Sequence, residues 1–248
     1  MNKILIIIVS RDINNTHRRS LLTIKNNLIN SLKNDNNIID LCSVLSEPNY
    51  DMSCKSILGN FKYEFICTDP QLRKVCYIFE KIKYDDYDWY IKVRPEINLL
   101  EKITNKNFEF FSKEKINSRC RNYEGEKINL SNGLSVPYSL KWIKYNSKFT
   151  IINPDDQMYF FHKNIAGQAF APLSLDSYLD YVENLKVQNN KPFWMESWML
   201  SDNYFINNKD NEREGHHKFI WNNRNIFINP ISLNLQMKSL TSGNLVLN

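Results

Sequence analysis

One run near the amino terminus, Lys3-Ile-Leu-Ile-Ile-Ile-Val9, constrains this chain more than any other segment. Its apolar part, Ile4 to Val9, offers no polar position to either side of a pleat, so as a strand it must be covered on both faces. That is the pattern of a central strand in a parallel sheet with helices above and below. A chain of 248 residues can bury such a core without disulfides or a structural metal. Its six glycines are too few for repeats, Gly-rich phosphate loops or a turn-dense all-β fold.

The first half continues as an alternation of strands and helices. Between Thr16 and Lys33, Leu21, Leu22, Ile24, Leu28, Ile29 and Leu32 recur at helical spacing. Ile38 to Leu45 and Tyr63 to Cys67 read as strands. Asp69-Pro70 supplies an N-cap and a first helical residue for a helix from Gln71 to about Lys83. Asp88 to Val93 is a fourth strand, closed by Pro95. The order predicts an α/β protein with a mostly parallel sheet flanked by helices. Beyond Leu100 the pattern loosens. Phe108–Phe111, Ile116–Tyr123 and Phe149–Ile152 read as strands, Glu124 to Pro137 as a surface loop, Leu173–Asn184 and Lys191–Asp202 as helices, and Ile226–Met237 as strand-like. With no repeat and no linker, residues 1–248 are expected to form one domain.

Composition narrows the partners. Apolar residues at 42% and charged residues at 24% are globular proportions. A net charge of +5 suits a phosphate-bearing ligand but falls short of a dedicated nucleic-acid binder. The abundance of Asn, Ile and Lys reads as the coding bias of an AT-rich genome. The five cysteines form no CxxC pair, which argues against a zinc site and for reduced, buried thiols. No apolar stretch approaches the roughly 20 residues of a membrane span, and Ile4–Val9 is too short for a signal sequence. The expectation is a soluble cytoplasmic protein.

In open α/β sheets, ligands bind beyond the carboxyl ends of the parallel strands. The first strand delivers Ser10, Arg11 and Asp12 there, with Arg18 and Arg19 opening the next helix, a combination suited to phosphate. The fourth delivers Arg94-Pro95-Glu96, where a carboxylate beside an arginine suits a divalent cation or a sugar hydroxyl. Asp85-Asp86-Tyr87-Asp88 precedes that strand and so belongs to the opposite edge. Asn153-Pro154-Asp155-Asp156-Gln157 follows an apolar run; its acids either cap a helix over Met158–Phe161 or face the cleft as a base or sugar ligand. Glu196 lies among Trp194, Met195 and Trp198, where desolvation would raise its pKa toward general-base work or where backbone amides would satisfy it. The histidines are isolated, and no GxSxG, HExxH, Walker or GxGxxG motif occurs.

Three segments together resemble the GT-A fold glycosyltransferases, closest to the small enzymes of bacterial polysaccharide clusters and large DNA viruses. They are the strand ending Ser10-Arg11, the stretch Tyr87-Asp-Trp-Tyr-Ile-Lys-Val-Arg-Pro-Glu-Ile97 at the place of the family's D-x-D strand, and Asn153-Pro-Asp-Asp-Gln157 with the later Glu196 helix. The resemblance implies transfer of a sugar from a nucleotide-diphosphate donor to an acceptor hydroxyl on a glycan, in the host cytoplasm if the chain is viral. It implies Mn²⁺ or Mg²⁺ as cofactor, with Glu96 as the metal ligand. Ser10, Arg11, Arg18, Arg94 and Asp155 would bind the substrates, and Asp156, then Glu196, would serve as base. The chain departs from the family in having Arg94-Pro95-Glu96 where relatives carry two or three acids, so Arg94 is an alternative source of the metal's charge. The rival readings are a degenerate GT-A-like scaffold and, with scattered rather than striped basic residues, a nucleic-acid-binding module.

Overall fold

A computed structural model describes residues 1–47, 50–69, 71–129, 135–143, 153–170 and 228–237. The expected strand Phe149–Ile152 and the helices Leu173–Asn184 and Lys191–Asp202 lie outside the described residues.

The aliphatic run forms β1 (Lys3–Ser10), with every residue from Ile4 to Ser10 buried. It sits between β2 (Ile38–Leu45) and β4 (Trp89–Val93), both parallel to it, and β3 (Tyr63–Ile66) adds to β2 in the same direction. Past β4 the sheet turns antiparallel through β8 (Asn153–His162), β6 (Ile116–Asn129) and β7 (Ser135–Ile143), giving the order β3-β2-β1-β4-β8-β6-β7. Short strand β9 (Ile228–Pro230) lies parallel to β6, while β5 (Ile97–Leu99) and β10 (Leu235–Met237) pair as a separate two-stranded ribbon. The fold is α/β, parallel through its first four strands.

Strand alternation divides the interior into two cores. Leu5, Ile7 and Val9 pack with Val75, Ile78 and Phe79 of α4 (Gln71–Phe79) and with Phe170, which follows α6 (Lys163–Ala169). Ile4, Ile6 and Ile8 pack on the opposite face with Leu21 and Ile24 of α1 (Arg18–Ile24) and Leu32 of α2 (Ser31–Asn34). A 3₁₀ turn, Asn15–His17, leads into α1, and a π-helical stretch, Lys25–Asn30, joins α1 to α2 without a break. A π turn lengthens the hydrogen-bonded ring and so releases a backbone carbonyl. Here the Asn27 carbonyl accepts from the Ile103 N–H at 2.8 Å, and the Asn27 side chain donates to the Leu99 carbonyl at 2.7 Å, fastening β5 to the helix.

Several elements differ from expectation. Phe108–Phe111 is not a strand; α5 (Asn105–Glu109), opened by a Thr104–Asn107 capping box, ends within it, and Phe108 and Phe111 point together at Trp89 and Phe160. Of the expected loop Glu124–Pro137, Glu124–Asn129 belongs to β6 and Ser135–Pro137 to β7, paired across a register shift between Glu124 and Lys127, while residues 130–134 lie outside the described residues. Asn153–Gln157 is the start of β8, and Met158–Phe161 continues that strand rather than forming a helix. Met158 and Phe160 enter one core and Tyr159 and Phe161 the other, so four consecutive large side chains bury only on the two faces of a strand. Helix α3 (Met52–Leu58), N-capped by the Asp51 carboxylate, carries no strong apolar period and was not anticipated. Helix α4 stops at Phe79, before the expected Lys83.

Candidate functional site

Helix α1 follows β1 on one face of the sheet, and α4 precedes β4 on the other. The connections therefore diverge between β1 and β4, the switch point where open α/β sheets bind ligands. Ser10 ends β1 at this point, and Arg94-Pro95-Glu96 leaves β4 beside it.

Lys74, on the first turns of α4, is 3% exposed. Its ammonium donates to the Ser10 carbonyl and, at 2.7 Å, to the Ser46 hydroxyl, tying together the carboxyl ends of β1 and β2. Burial pushes its pKa down, opposed by electrostatic attraction to Cys67, Asp69 and Glu96. Glu96 is thus within electrostatic reach of Lys74. Both Glu96 oxygens accept from the Arg94 guanidinium, each at 3.3 Å, and the Glu96 side chain is only 10% exposed.

The Arg94 N–H donates to the Gln157 carbonyl at 3.0 Å, which seats the start of β8 against the turn. Buried Gln157 in turn accepts from buried Arg119 at 3.1 Å, and Arg119 also donates to the Leu235 carbonyl at 3.1 Å. Asp155 and Asp156 directly precede Gln157 in β8, so the strand register puts their backbone at the same edge as Arg94 and Glu96. Below β4, Ser20 of α1 donates to the Pro95 carbonyl and fixes the turn from the helix side.

The other sequence-derived residues fall less centrally. Arg11 is exposed and paired with Glu47 at 2.7 Å. Its carbonyl accepts from the N–H groups of Ser46 and Glu47, closing β1 onto the loop after β2. Arg18 is exposed at the start of α1 and lies toward α3: Asp51 is held below its ordinary pKa first by the Ser53 hydroxyl and, as the last contribution, by the charge of Arg18. Glu196 lies outside the described residues. Asp88, at the opposite edge, accepts from the Lys3 N–H at 2.9 Å and from Lys163 at 3.0 Å, a structural use consistent with its place before β4.

Among the described residues, three buried cations escaped the sequence reading: Lys74, Lys92 and Arg119. Two carried a signal. Lys74 stands four residues before Ile78, on the buried stripe of α4, and Lys92 interrupts a strand buried on both faces, where its ammonium lies 5.3 Å from the Tyr159 ring centre. Arg119 carried none, because the alternation around it in β6 is weak.

No protein-family model matches the chain, and no curated protein matches it.

A divalent cation, which the resemblance implies, fits these side chains poorly. Among the described residues, no three acids, histidines or cysteines come together as a ligand set. Three acids with described side chains at this edge are already engaged: Asp12 by the Asn14 amide at 2.9 Å, Glu47 by Arg11, and Glu96 by Arg94. Lys74 adds a positive charge where a metal would require negative ones. Cys42, Cys54, Cys67 and Cys76 are free thiols, all buried. No helix among the described residues is long and apolar enough to cross a membrane.

Proposed function

We propose that the chain is a GT-A-like glycosyltransferase that moves a sugar from a nucleotide-diphosphate donor to an acceptor hydroxyl of a glycan. The observation that carries this reading is that Ser10, held by Lys74, and the Arg94–Glu96 pair stand at the carboxyl ends of the neighbouring parallel strands β1 and β4, with the start of β8 seated on Arg94 through Gln157. The strand order, parallel through β4 and antiparallel from β8, is compatible with that fold family.

In this reading the donor's diphosphate lies across the ends of β1 and β4. Arg94 turns from Glu96 toward the leaving group and stabilises the charge that develops on it. Asp156 is the first candidate to take the proton from the acceptor hydroxyl, and Glu196 the second. Asp155, Ser10 and Arg11 complete the walls, with Arg18 further out.

A thermal-shift screen against nucleotide sugars tests the assignment. A donor at 100 times its dissociation constant adds about 2.7 kcal/mol of stability, a clear rise in melting temperature. Asp156→Asn should abolish transfer and leave donor binding nearly intact. Lost donor affinity with normal turnover at saturation would remove Asp156 from the role of base, and no response to any donor would refute the reading. A response without turnover favours a degenerate scaffold, for which Arg94 and Glu96 closed on each other is the supporting observation.

A further inference from the structure

We propose that this site neutralises the donor's diphosphate with the protein's own cations, Lys74 and Arg94, and binds it without a divalent metal ion. The inference rests on the nucleotide-sugar reading and specifies its charge chemistry.

Lys74 is the central observation. An ammonium has three N–H donors. Two of these are used, on the Ser10 carbonyl and the Ser46 hydroxyl, and both acceptors are neutral. No carboxylate among the described residues lies within ion-pair distance of Lys74; Asp69 and Glu96 act on it only through longer-range attraction. The residue is 3% exposed, so water does little to repay the lost hydration of its charge. A buried, unpaired cation with a donor to spare is costly to keep in a stable core. It is explained when an anion completes it, and such groups gather at functional sites for that reason.

Arg94 is the second cation and is in the complementary state. Its fork holds Glu96, a residue that is itself buried. Glu96 thereby acts as a resident anion on the Arg94 fork until a phosphate takes its place, a bidentate partner for which the planar guanidinium is well shaped. A carboxylate with this duty is a poor metal ligand, since coordination would compete with the Arg94–Glu96 pair. Lys74 is held at the carboxyl ends of β1 and β2 by the Ser10 carbonyl and the Ser46 hydroxyl, and Arg94 leaves the end of β4, the strand next to β1. Two protein cations supply the charge that a metal would otherwise bring.

The test uses the full chain and four probes: inorganic diphosphate, a panel of nucleoside diphosphates (UDP, GDP, ADP and dTDP), the matching nucleosides, and the matching nucleotide sugars. Each is titrated calorimetrically in EDTA and again with Mn²⁺ or Mg²⁺. At least one nucleoside diphosphate is expected to bind in EDTA within about twofold of its affinity with metal. Lys74→Met should weaken that binding by about tenfold or more while leaving nucleoside binding unchanged, a split that a merely structural lysine would not produce. Arg94→Gln should do the same and serves if Lys74→Met does not fold. Glu96→Gln should leave affinity in EDTA unchanged or raise it.

Diphosphate binding that disappears in EDTA, or that Glu96→Gln abolishes only in the presence of metal, overturns the inference and leaves the glycosyltransferase reading standing. Inorganic diphosphate binding that depends on Lys74, with no response to any nucleotide or nucleotide sugar, upholds the cationic site and refutes that reading. Absence of binding by every probe overturns both.

Discussion

Ser20→Ala tests whether the Arg94–Glu96 turn is held from below by helix α1. Ser20 is 2% exposed, and its single hydroxyl proton lies between two carbonyls: that of His17, at 2.8 Å, and that of Pro95, closer still. The His17 carbonyl belongs to the start of the helix, whereas the Pro95 carbonyl has no other partner among the described backbone bonds. Removing the hydroxyl strands that carbonyl in the interior, at a cost of about 1–3 kcal/mol. The better helix propensity of alanine returns a few tenths of a kcal/mol. The net loss of about 1–2 kcal/mol corresponds to a fall of roughly 2–8 °C in melting temperature for a chain of this size. In urea, with a slope of about 2–3 kcal/mol/M, the midpoint moves down by roughly 0.3–1 M at unchanged slope. A midpoint within about 0.2 M of the parent would refute the claim that Ser20 carries the Pro95 carbonyl.

The remaining predictions concern other joints of the fold. His162 caps α6 by accepting from the Asn164 N–H at 3.3 Å, and burial first, then Lys113, lowers its pKa below 6.5. Its folded value is depressed, so the unfolded chain takes up the proton first and stability falls as pH drops through 6.5, levelling off below the folded value. His162→Asn keeps a capping acceptor, and the difference between its urea midpoint and the parent's should narrow from pH 7.5 to 5.5; a constant difference would count against it. Gly59 closes α3 at φ +103°, a region that side chains avoid, so Gly59→Ala should cost about 1–3 kcal/mol by denaturant melt. Buried Asn117 accepts from the Ser112 N–H at 2.7 Å and donates to the carbonyls of Ser112 and Phe160; Asn117→Ala should cost about 2–4 kcal/mol, and a loss under about 1 kcal/mol would mean that water replaces those bonds.

The parallel half of the fold was legible because its strands have no ambiguous positions. Ile4–Val9 and Ile38–Leu45 are apolar on both faces or nearly so, and the first of these alone demands helices above and below. The antiparallel half was less legible for a physical reason. Its strands are polar on one side or carry Pro and Asp at the start, so Glu124–Asn129 read as a loop and Asn153–Gln157 as a helix cap or a pair of cleft acids. Only pairing with distant residues, Asn117 with Phe160 for example, makes them strands. Phe108 and Phe111 misled in the other direction, since two aromatics three residues apart fit a helix as well as a strand. At the site, Arg94, Glu96 and Ser10 followed from the rule that strand ends carry function. Lys74 did not, because a lysine in an amphipathic helix reads as solvated until the stripe is counted and Ile78 is found one turn below it.

The position of β4 has a consequence for how the chain is made. One flank of Trp89–Val93 is covered by β1, which the ribosome has already released, but the other waits for β8, whose Met158 pairs with Val93. About 65 residues separate the two, so at 5–20 residues per second this open edge stands unpaired for roughly 3–13 s during synthesis. Trp-Tyr-Ile-Lys-Val is a short β-prone segment of low charge, and Lys92 is its one charged residue. That lysine, buried in the finished protein, is in the nascent chain the one charge on this edge that opposes pairing with a neighbouring copy.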